Sequence, residues 1–395
     1  MAACPPVATG RAARYAGTGI HKGSAVTDTF AESVPEAEGE ALNFSTTLEP
    51  SRFLGLSLKI GLLNLITLTL YRFWGKTEVR HRVWKGVRLN GEAFEYTGRG
   101  IELFIGFALA AVVLGIPFLA VVFAVQFGAE WAILLLLPLY IALPWLWGFG
   151  VFTAFRYMAS RTTWRGIRFR LKGSAVNYGW LFLFVGFLDG LTLGWFRPAG
   201  ERMLAERIWD EVRFGDRRVR FRMARSQREG IYGPFAIGWV GTGVGFFVAI
   251  FAFMAFGMAT GMFEAGAGGT SPEPGIAFTL GIYGFLLLAS PFALLIWAPY
   301  HAALLRSIAA GVSVDNATFR LDVHALSLWW LTVSNLFLLL ITLGFLMPWV
   351  QARSARYLIS RLKSDGTARL NLAQQTERGP GSGEGLADAF GFSAI

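Results

Sequence analysis

Long apolar segments alternate along this chain with short polar stretches. The apolar segments lie at about 53–74, 101–127, 131–155, 174–196, 232–257, 276–299 and 325–350. Roughly twenty residues of helix cross the ~30 Å hydrocarbon layer of a bilayer, so segments of this length are typical of membrane helices. The pattern therefore predicts an all-α integral membrane protein in which the bilayer surrounds most of the apolar surface.

The polar stretches show a second pattern, alternation on either side of a pair of turn residues. The clearest are VRLNGEAFEY (87–96), VRFGDRRVRFR (212–222) and VSVDNATFRLD (312–322), and reduced versions are RGIRFRLKG (165–173) and TARLNL (367–372). Alternation around residues that tolerate positive φ predicts β-hairpins. The predicted fold thus combines transmembrane helix pairs, three re-entrant or short motif helices, and small cytoplasmic β-hairpins.

The charges of the loops predict the topology. Residues 156–173 hold six basic and no acidic side chains, whereas 128–130 and 258–275 hold no Lys or Arg. Cytoplasmic loops of membrane proteins collect Lys and Arg, so the basic loops and both termini are placed in the cytoplasm, on the inner face of a bacterial inner membrane. Segment 174–196 has a basic loop on each side, which favours a re-entrant or interfacial segment. If it crossed instead, neighbouring units would be inverted, as in many secondary transporters.

One motif occurs three times and indicates an internal repeat. The copies are ITLTLYRFW (66–74), LTLGWFRPA (191–199) and ITLGFLMPW (341–349), and Pro198 and Pro348 are expected to end their apolar runs. The repeats divide the chain into a disordered tail (1–45), repeat unit 1 (46–173), repeat unit 2 (174–324), a third motif segment with its hairpin (325–373) and a second disordered tail (374–395).

The first copy also carries a family resemblance. FLGLSLKIGLLNLITLTLYRFWGKTEVRHRVWKGVRLNGEAFEYTGRG (53–100) resembles the signature of the YjgN-like bacterial inner-membrane proteins, with Asn-Leu, Thr-Leu-Gly, an aromatic residue and Trp, a basic helix and a Gly-x-x-Phe-x-Tyr-x-Gly strand. Thr69 replaces the glycine in the first copy, and Ala199 replaces the tryptophan in the second. The resemblance implies a multi-spanning protein of the plasma membrane that contains a domain of unknown function, and it implies no activity.

Composition narrows the function classes. The chain is 54% hydrophobic and 16% charged, with a net charge of +10, which in a membrane protein reflects basic cytoplasmic loops and gives no reason to expect nucleic acid. Cys4 is the only cysteine, and the histidines lack metal-ligand spacing. Since the sequence has no nucleophile elbow and no phosphate-binding loop, we expect a protein that is not an enzyme and holds no cofactor or metal.

Two groups of candidate residues remain, and each has an alternative reading. A polar site inside the membrane is suggested by Asn64, Thr67, Asp189, Thr192 and Thr342. Asp189 could bind a cation or relay a proton, or it could cap a helix at a break. The threonines could line a polar path, or they could bond back to their own helix.

The second group suits anionic lipid headgroups, although it could also be an ordinary solvated basic face. Its members are Arg82, Trp84, Arg207, Trp209, Arg217, Arg218, Arg220, Arg222, Trp349, Arg353 and Arg356. The sequence thus favours a carrier or channel for a small solute or ion, because broken membrane segments usually line cavities. The alternative is a non-catalytic membrane organiser that binds anionic lipid or a partner protein through its basic cytoplasmic face. The sequence does not define an oligomeric state.

Overall fold

Helices make up most of the fold. The computed structural model describes residues 39–129, 131, 134, 136–259 and 276–375. The helices in these ranges are α1 Leu54–Ile66, α2 Arg72–Gly86, α3 Gly100–Ala110, α4 Ile116–Gln126, α5 Leu136–Arg161, α6 Ala175–Leu191, α7 Arg197–Trp209, α8 Arg225–Ala259, α9 Ile276–Gly311, α10 Ala325–Ile341 and α11 Met347–Ile359. A π-helical turn at Ala111–Gly115 joins α3 to α4.

The polar stretches form strands. These are β1 Glu40–Ala41, β2 Phe44–Thr46, β3 Val87–Leu89, β4 Glu92–Ala93, β5 Glu95–Tyr96, β6 Thr162–Trp164, β7 Ile167–Leu171, β8 Val212–Phe214, β9 Arg217–Phe221, β10 Val312–Val314, β11 Ala317–Leu321, β12 Leu362–Asp365 and β13 Thr367–Ala368. Within the described residues, β5 to β12 pair in chain order as one eight-stranded antiparallel sheet. The fold is therefore not purely all-α. The predicted β-hairpins are present, and neighbouring hairpins also pair with one another, because an unpaired edge strand leaves backbone groups unsatisfied.

Helices connect neighbouring strands of this sheet. The chain leaves one strand, passes through helices and returns to the next strand, and we call each such path a helical excursion. In the described part of the chain, the five excursions leave and return at directly paired residues: Thr46 and Val87, Tyr96 and Thr162, Leu171 and Val212, Phe221 and Val312, and Leu321 and Leu362. The first excursion joins β2 and β3, which form a three-stranded sheet with β4, and only Phe94 separates β4 from β5 of the eight-stranded sheet. The other four excursions begin and end at the same ends of the strands of the eight-stranded sheet, and its hairpin turns lie at the opposite ends.

Residues 39–46 bring the two ends of the strand order together. β1 pairs with β13 near the C-terminus, and β2 pairs with β3. The Ser364 hydroxyl donates a hydrogen bond to the Leu42 carbonyl, and the rings of Phe44 and Phe319 are 6.0 Å apart. The sheet therefore curls into a barrel-like ring.

The interior of this ring is filled with side chains. Alternation along β9 shows how: Val219 and Phe221 are buried, whereas Arg218 and Arg220 are exposed. The buried cluster includes Leu89, Trp164, Phe214, Val219, Phe221, Val312, Val314, Ala317 and Ala368. One apolar core thus holds strands from all the hairpins.

The expected disordered tail at residues 1–45 is wrong for its last part. Residues 40–41 and 44–46 are strands, because their pairing with β13 and β3 satisfies backbone groups that would otherwise form open edges. The expected C-terminal tail begins at 374, and the backbone N–H of Gln374 donates to Asp216. Residues 1–38 and 376–395 lie outside the described residues.

Candidate functional site

The three copies of the repeated motif form the same turn between two helices. We call these turns the corners, at residues 67–71, 192–196 and 342–346. The hydroxyls of Thr67, Thr192 and Thr342 donate to the carbonyls four residues earlier, at 2.6, 2.8 and 2.6 Å. Each hydroxyl also accepts the N–H four residues later. The threonines thus bond back to their helix and also link it to the next one.

Left-handed backbone at each corner ends the first helix. Leu68, Leu193 and Leu343 have φ near +50°, and the next residue has φ of +70° in Thr69, +91° in Gly194 and +83° in Gly344. The N–H of that next residue bonds to the carbonyl five residues earlier, which is the main bond of a Schellman cap. The glycines of the motif are therefore explained by backbone conformation, and Thr69 adopts it at a steric cost.

Prolines begin the second helix of a corner, contrary to the expectation that they end the first. α7 starts at Arg197 and α11 at Met347, so Pro198 and Pro348 occupy the second helical position of each. The corner has already ended the first helix at Leu191 or Ile341. Proline suits this position because its missing N–H would have no helical partner there.

The first, third and fifth excursions contain the three corners, and we call them the motif excursions. In each of them the second helix folds back along the first. A Cβ added to Gly75 would lie 2.8 Å from Ile60, and one added to Gly200 would lie 2.4 Å from Val185. In the third copy, Arg353 donates to Asn335 at 2.8 Å. First helices of 13 to 17 residues are about 20–25 Å long, which is less than the ~30 Å hydrocarbon layer. The geometry favours segments that enter and return over segments that cross.

The first helices expose an apolar stripe on the side away from their partners. On α6 it consists of Val176, Trp180, Phe184, Phe187 and Leu191, which are between 46% and 69% exposed. α1 repeats it with Leu54, Leu58, Leu62, Leu65 and Ile66, and α10 repeats it with Leu326, Trp330, Leu340 and Ile341. At the corners, Leu68, Leu193 and Leu343 are 84%, 76% and 87% exposed. Stripes of this size normally contact lipid or another protein.

Asp189 pairs with the first residue of the second helix. Its carboxylate is 3.2 Å from the Arg197 guanidinium, while its other oxygen, Oδ1, is buried with no hydrogen-bond partner among the described residues. The side chain does not cap backbone N–H groups as the alternative reading expected. Instead its backbone carbonyl accepts the corner N–H of Gly194 at 2.7 Å.

The equivalent positions in the other copies change together. Asn64 and Arg72 occupy them in the first copy, and Leu339 and Met347 in the third. The Arg72 guanidinium lies 4.7 Å from the centroid of the Phe107 ring. The same corner backbone therefore accommodates a polar pair, an ion pair or an apolar pair, so the ion pair is not needed to form the corner.

This leads to a prediction for the ion pair. Asp189→Leu or Arg197→Met alone leaves a charge without its partner in an apolar setting and should destabilise the protein by about 1–3 kcal/mol. The double variant copies the third corner and should recover most of that loss, because it leaves neither charge. Thermal unfolding of the four proteins in one detergent measures the coupling. Additive losses would show that the two side chains act independently.

A second polar contact was not predicted from the sequence. The hydroxyl of Tyr300 on α9, which is fully buried, donates to Glu201 on α7 at 2.7 Å. Glu201 follows Arg197 by one helical turn on α7. Arg197, Glu201 and the hydroxyl of Tyr300 therefore lie along the same side of α7. Only the spacing of Arg197 and Glu201 could have indicated this; the approach of Tyr300 depends on tertiary packing.

Arginines lie close together on the outer face of the sheet where the third and fourth excursions begin. We call Arg213, Arg218, Arg220 and Arg222 the arginine face, and Arg170 lies beside it on β7. Arg213 lies directly opposite Arg170 on one side and Arg218 on the other. Burial and the charge of Arg218 lower the pKa of Arg213 below its ordinary value. Like charges in opposite positions destabilise a sheet, so an anion near this row would be favourable.

The members of this face differ in their partners. Arg213 and Arg218 both donate to the carbonyl of Asp210, each at 3.3 Å. Arg220 and Arg222 are exposed, and neither has an ion pair among the described residues. At the ends of the strands where the hairpin turns lie, by contrast, Arg165 pairs with Glu40 and Glu92. Arg220 and Arg222, beside the start of the fourth excursion, therefore carry charge that no ion pair among the described residues neutralises.

Several predicted headgroup contacts have partners within the protein. Trp84 donates to Thr162 at 2.9 Å, Trp209 packs against the sheet core, and Arg353 bonds to Ser334 and Asn335 and lies over the ring of Trp349. Arg82, Arg207 and Arg217 form ion pairs. Arg356 is exposed. Of the predicted set, Arg220, Arg222 and Arg356 thus have the most accessible charge.

Three helical stretches in the described residues are long and apolar enough to span a membrane: Gly100–Gln126, Arg225–Ala255 and Tyr283–Gly311. They lie in the second and fourth excursions, on the same side of the sheet as the three corners. The fold and these helices define a membrane-associated protein whose helical excursions each connect two paired antiparallel strands.

The chain belongs to a family of bacterial proteins of unknown function, DUF898, whose model matches residues 41–389. The family resemblance predicted from the sequence is confirmed. No curated protein and no solved structure matches the chain.

Proposed function

We propose that this is a non-catalytic, multi-pass protein of the bacterial inner membrane, with its sheet and both termini in the cytoplasm, that organises anionic lipid around its arginine face. The observation that carries the proposal is that Arg213 lies opposite Arg218, next to the exposed Arg220 and Arg222, which have no ion pair among the described residues. Directly opposed guanidiniums repel one another. A lipid phosphate beside them would attract both, and the net interaction would then be favourable. The positive-inside rule supports the cytoplasmic placement.

The position of the arginines supports contact with lipid. Leu171 and Val212 are the paired residues at which the third excursion leaves and returns, and Arg170 and Arg213 are their immediate neighbours. Arg222 follows the strand from which the fourth excursion leaves, and that excursion contains two of the helices able to span a membrane. The guanidiniums therefore lie where the headgroup layer would meet the sheet, and anionic lipids attract basic groups at that level.

Lipid selectivity tests the proposal. The Arg220→Gln/Arg222→Gln variant should bind phosphatidylglycerol about thirtyfold more weakly, since each of the two basic groups near a membrane surface contributes roughly 1 kcal/mol. Binding of phosphatidylcholine should not change. Native mass spectrometry of the purified protein with each lipid measures both. The loss should shrink in high salt, because salt screens exposed charges.

The matched control removes two arginines from the other ends of the strands, where the hairpin turns lie. Arg165 is in a hairpin turn, and Arg369 follows β13, with its N–H bonded to Asp315 of another turn. Arg165→Gln/Arg369→Gln should keep the preference for phosphatidylglycerol. If both double variants lose it equally, the effect is one of net charge and the arginine face is not a lipid site.

A second function, a carrier or channel for an ion or small solute, is favoured by one observation. The Asp189–Arg197 pair and the Glu201–Tyr300 bond place ionisable groups among apolar helices, where such groups are costly and commonly functional. Conductance or pH change across proteoliposomes containing Na⁺, K⁺ or Cl⁻ gradients tests it. A flux that Asp189→Asn abolishes in a protein that still assembles would support the carrier; the lipid organiser predicts that the variant is tolerated.

A further inference from the structure

The three motif excursions share a feature that lipid binding by the arginine face does not use. Each has an apolar first helix with an exposed stripe, a corner whose leucine is more than 75% exposed, and a polar second helix packed behind it. α7 shows the contrast: RPAGERMLAERIW contains five charged side chains in 13 residues. A hairpin with one apolar and one charged helix is suited to the boundary between headgroups and acyl chains.

The length of these hairpins limits how deep they can go. Their first helices are about 20–25 Å long, and each returns to the sheet next to the strand it left. A hairpin that starts at the headgroup layer therefore ends inside the hydrocarbon layer, which is ~30 Å thick. The second and fourth excursions hold helices long enough to pass through.

All three hairpins lie on one side of the membrane, because each leaves and returns at paired strands, and the two sheets that hold these strands are joined through Phe94 between β4 and β5 and through the bond between Ser364 and Leu42. They would therefore add volume to the near leaflet and none to the far one. A bilayer relieves such an imbalance by bending so that the expanded leaflet is on the convex side, and binding of interfacial helices is accordingly sensitive to curvature.

We infer that the three motif excursions are wedges in the leaflet next to the sheet, and that the protein therefore concentrates in membrane that is convex on the sheet's side. The ligand of the three apolar stripes is thus a lipid leaflet. The stripes recognise its acyl chains and the way in which its lipids are packed. This inference rests on the membrane insertion in the proposed function and is independent of lipid charge.

The corner leucines are the best positions for a test. They are exposed, and they already have the left-handed backbone that asparagine tolerates better than other residues with a Cβ. Leu68→Asn/Leu193→Asn/Leu343→Asn should therefore preserve the corners while reducing insertion. Leu372→Asn is a matched control, since Leu372 is 43% exposed and lies in the 3-10 helix after β13, away from the excursions.

The experiment measures the density of fluorescent protein in a narrow tether relative to the parent giant vesicle. The vesicles contain phosphatidylcholine alone, so attraction between arginine and anionic lipid plays no part. The full-length protein with its sheet outward should be enriched in the tether by about twofold or more, and the same protein with its sheet inward should be depleted. The triple variant should show neither effect, whereas Leu372→Asn should behave as wild type.

The outcomes separate this inference from the proposed function. Arg220→Gln/Arg222→Gln should keep the curvature preference even if it loses selectivity for phosphatidylglycerol. Equal densities in tether and vesicle for the wild-type protein would overturn the wedge model. So would a dimer in detergent that depends on the corner leucines, because the stripes would then cover a second copy.

Discussion

Cysteines placed in three different hairpins should all react with a membrane-impermeant maleimide from the cytoplasmic side and none from outside. Glu92, Asp216 and Asp365 suit this test because they are exposed. Asp216 and Asp365 belong to the eight-stranded sheet, and Glu92 lies in β4, which only Phe94 separates from the first strand of that sheet. Since strands cannot pair across a bilayer, one sheet requires one side. The measurement compares labelling of intact spheroplasts with labelling of inverted membrane vesicles, in a background where Cys4 is replaced by alanine.

A cysteine at Thr270 gives the opposite control, because the stretch 258–275 has no Lys or Arg and is predicted to be external. It should react in spheroplasts and be protected in inverted vesicles. Labelling of one hairpin from outside, with the others inside, would contradict the single sheet and restore the inverted-repeat alternative. Labelling of all three from outside would keep the sheet and reverse the orientation of the protein.

Trp164→Ala should cause the largest loss of stability of any single core substitution considered for the sheet. Trp164 is 1% exposed and belongs to the apolar core inside the ring of strands. The centroid of its indole lies 5.7 Å from the centroid of the Phe214 side chain and 6.5 Å from that of Phe94. Truncating a buried tryptophan costs about 3–5 kcal/mol, through lost burial and the cavity left behind. Thermal unfolding by near-ultraviolet circular dichroism should show a midpoint lower by about 5–10 °C.

Trp180→Ala is the matched control, since the same side chain is 59% exposed on α6. Its removal in detergent should change the midpoint by much less, because little buried contact is lost. Similar losses for the two variants would mean that the ring does not hold its strands through a common core. A specific loss for Trp164→Ala that also exposes the hairpins to protease would locate the damage in the sheet.

Local features of the structure could be predicted from the sequence because they depend on residues close together in the chain. The turn pairs, such as Asn90-Gly91, have the positive φ that the hairpin pattern required. The threonines of the repeated motif bond back to their own helices, which was one of the two expected readings. The repeat also indicated that the hairpins share one environment, and their pairing in one sheet agrees with that.

Contacts between distant segments could not be predicted in the same way. Nothing in the residues 39–46 distinguishes strands from a polar tail, because β1 and β2 are only two and three residues long and depend on partners elsewhere in the chain. The partner of Glu201 is 99 residues away, so only the packing of α7 on α9 reveals it. The prolines were misassigned for a local reason, since a stop signal and a start signal look alike when two helices are separated by five residues.

The closure of the ring has a consequence for synthesis. Leu42 and Ser364 are 322 residues apart in the chain, and both belong to the seam where the ring closes. Leu42 is made 322 residues before Ser364, so each hairpin can join its predecessor as it emerges while the seam stays open. During that time β2 and the most recently made strand are unprotected edges that can pair with other chains. A polypeptide truncated before β12 would leave this edge open permanently. Such truncated chains should aggregate or be degraded more than the full-length protein.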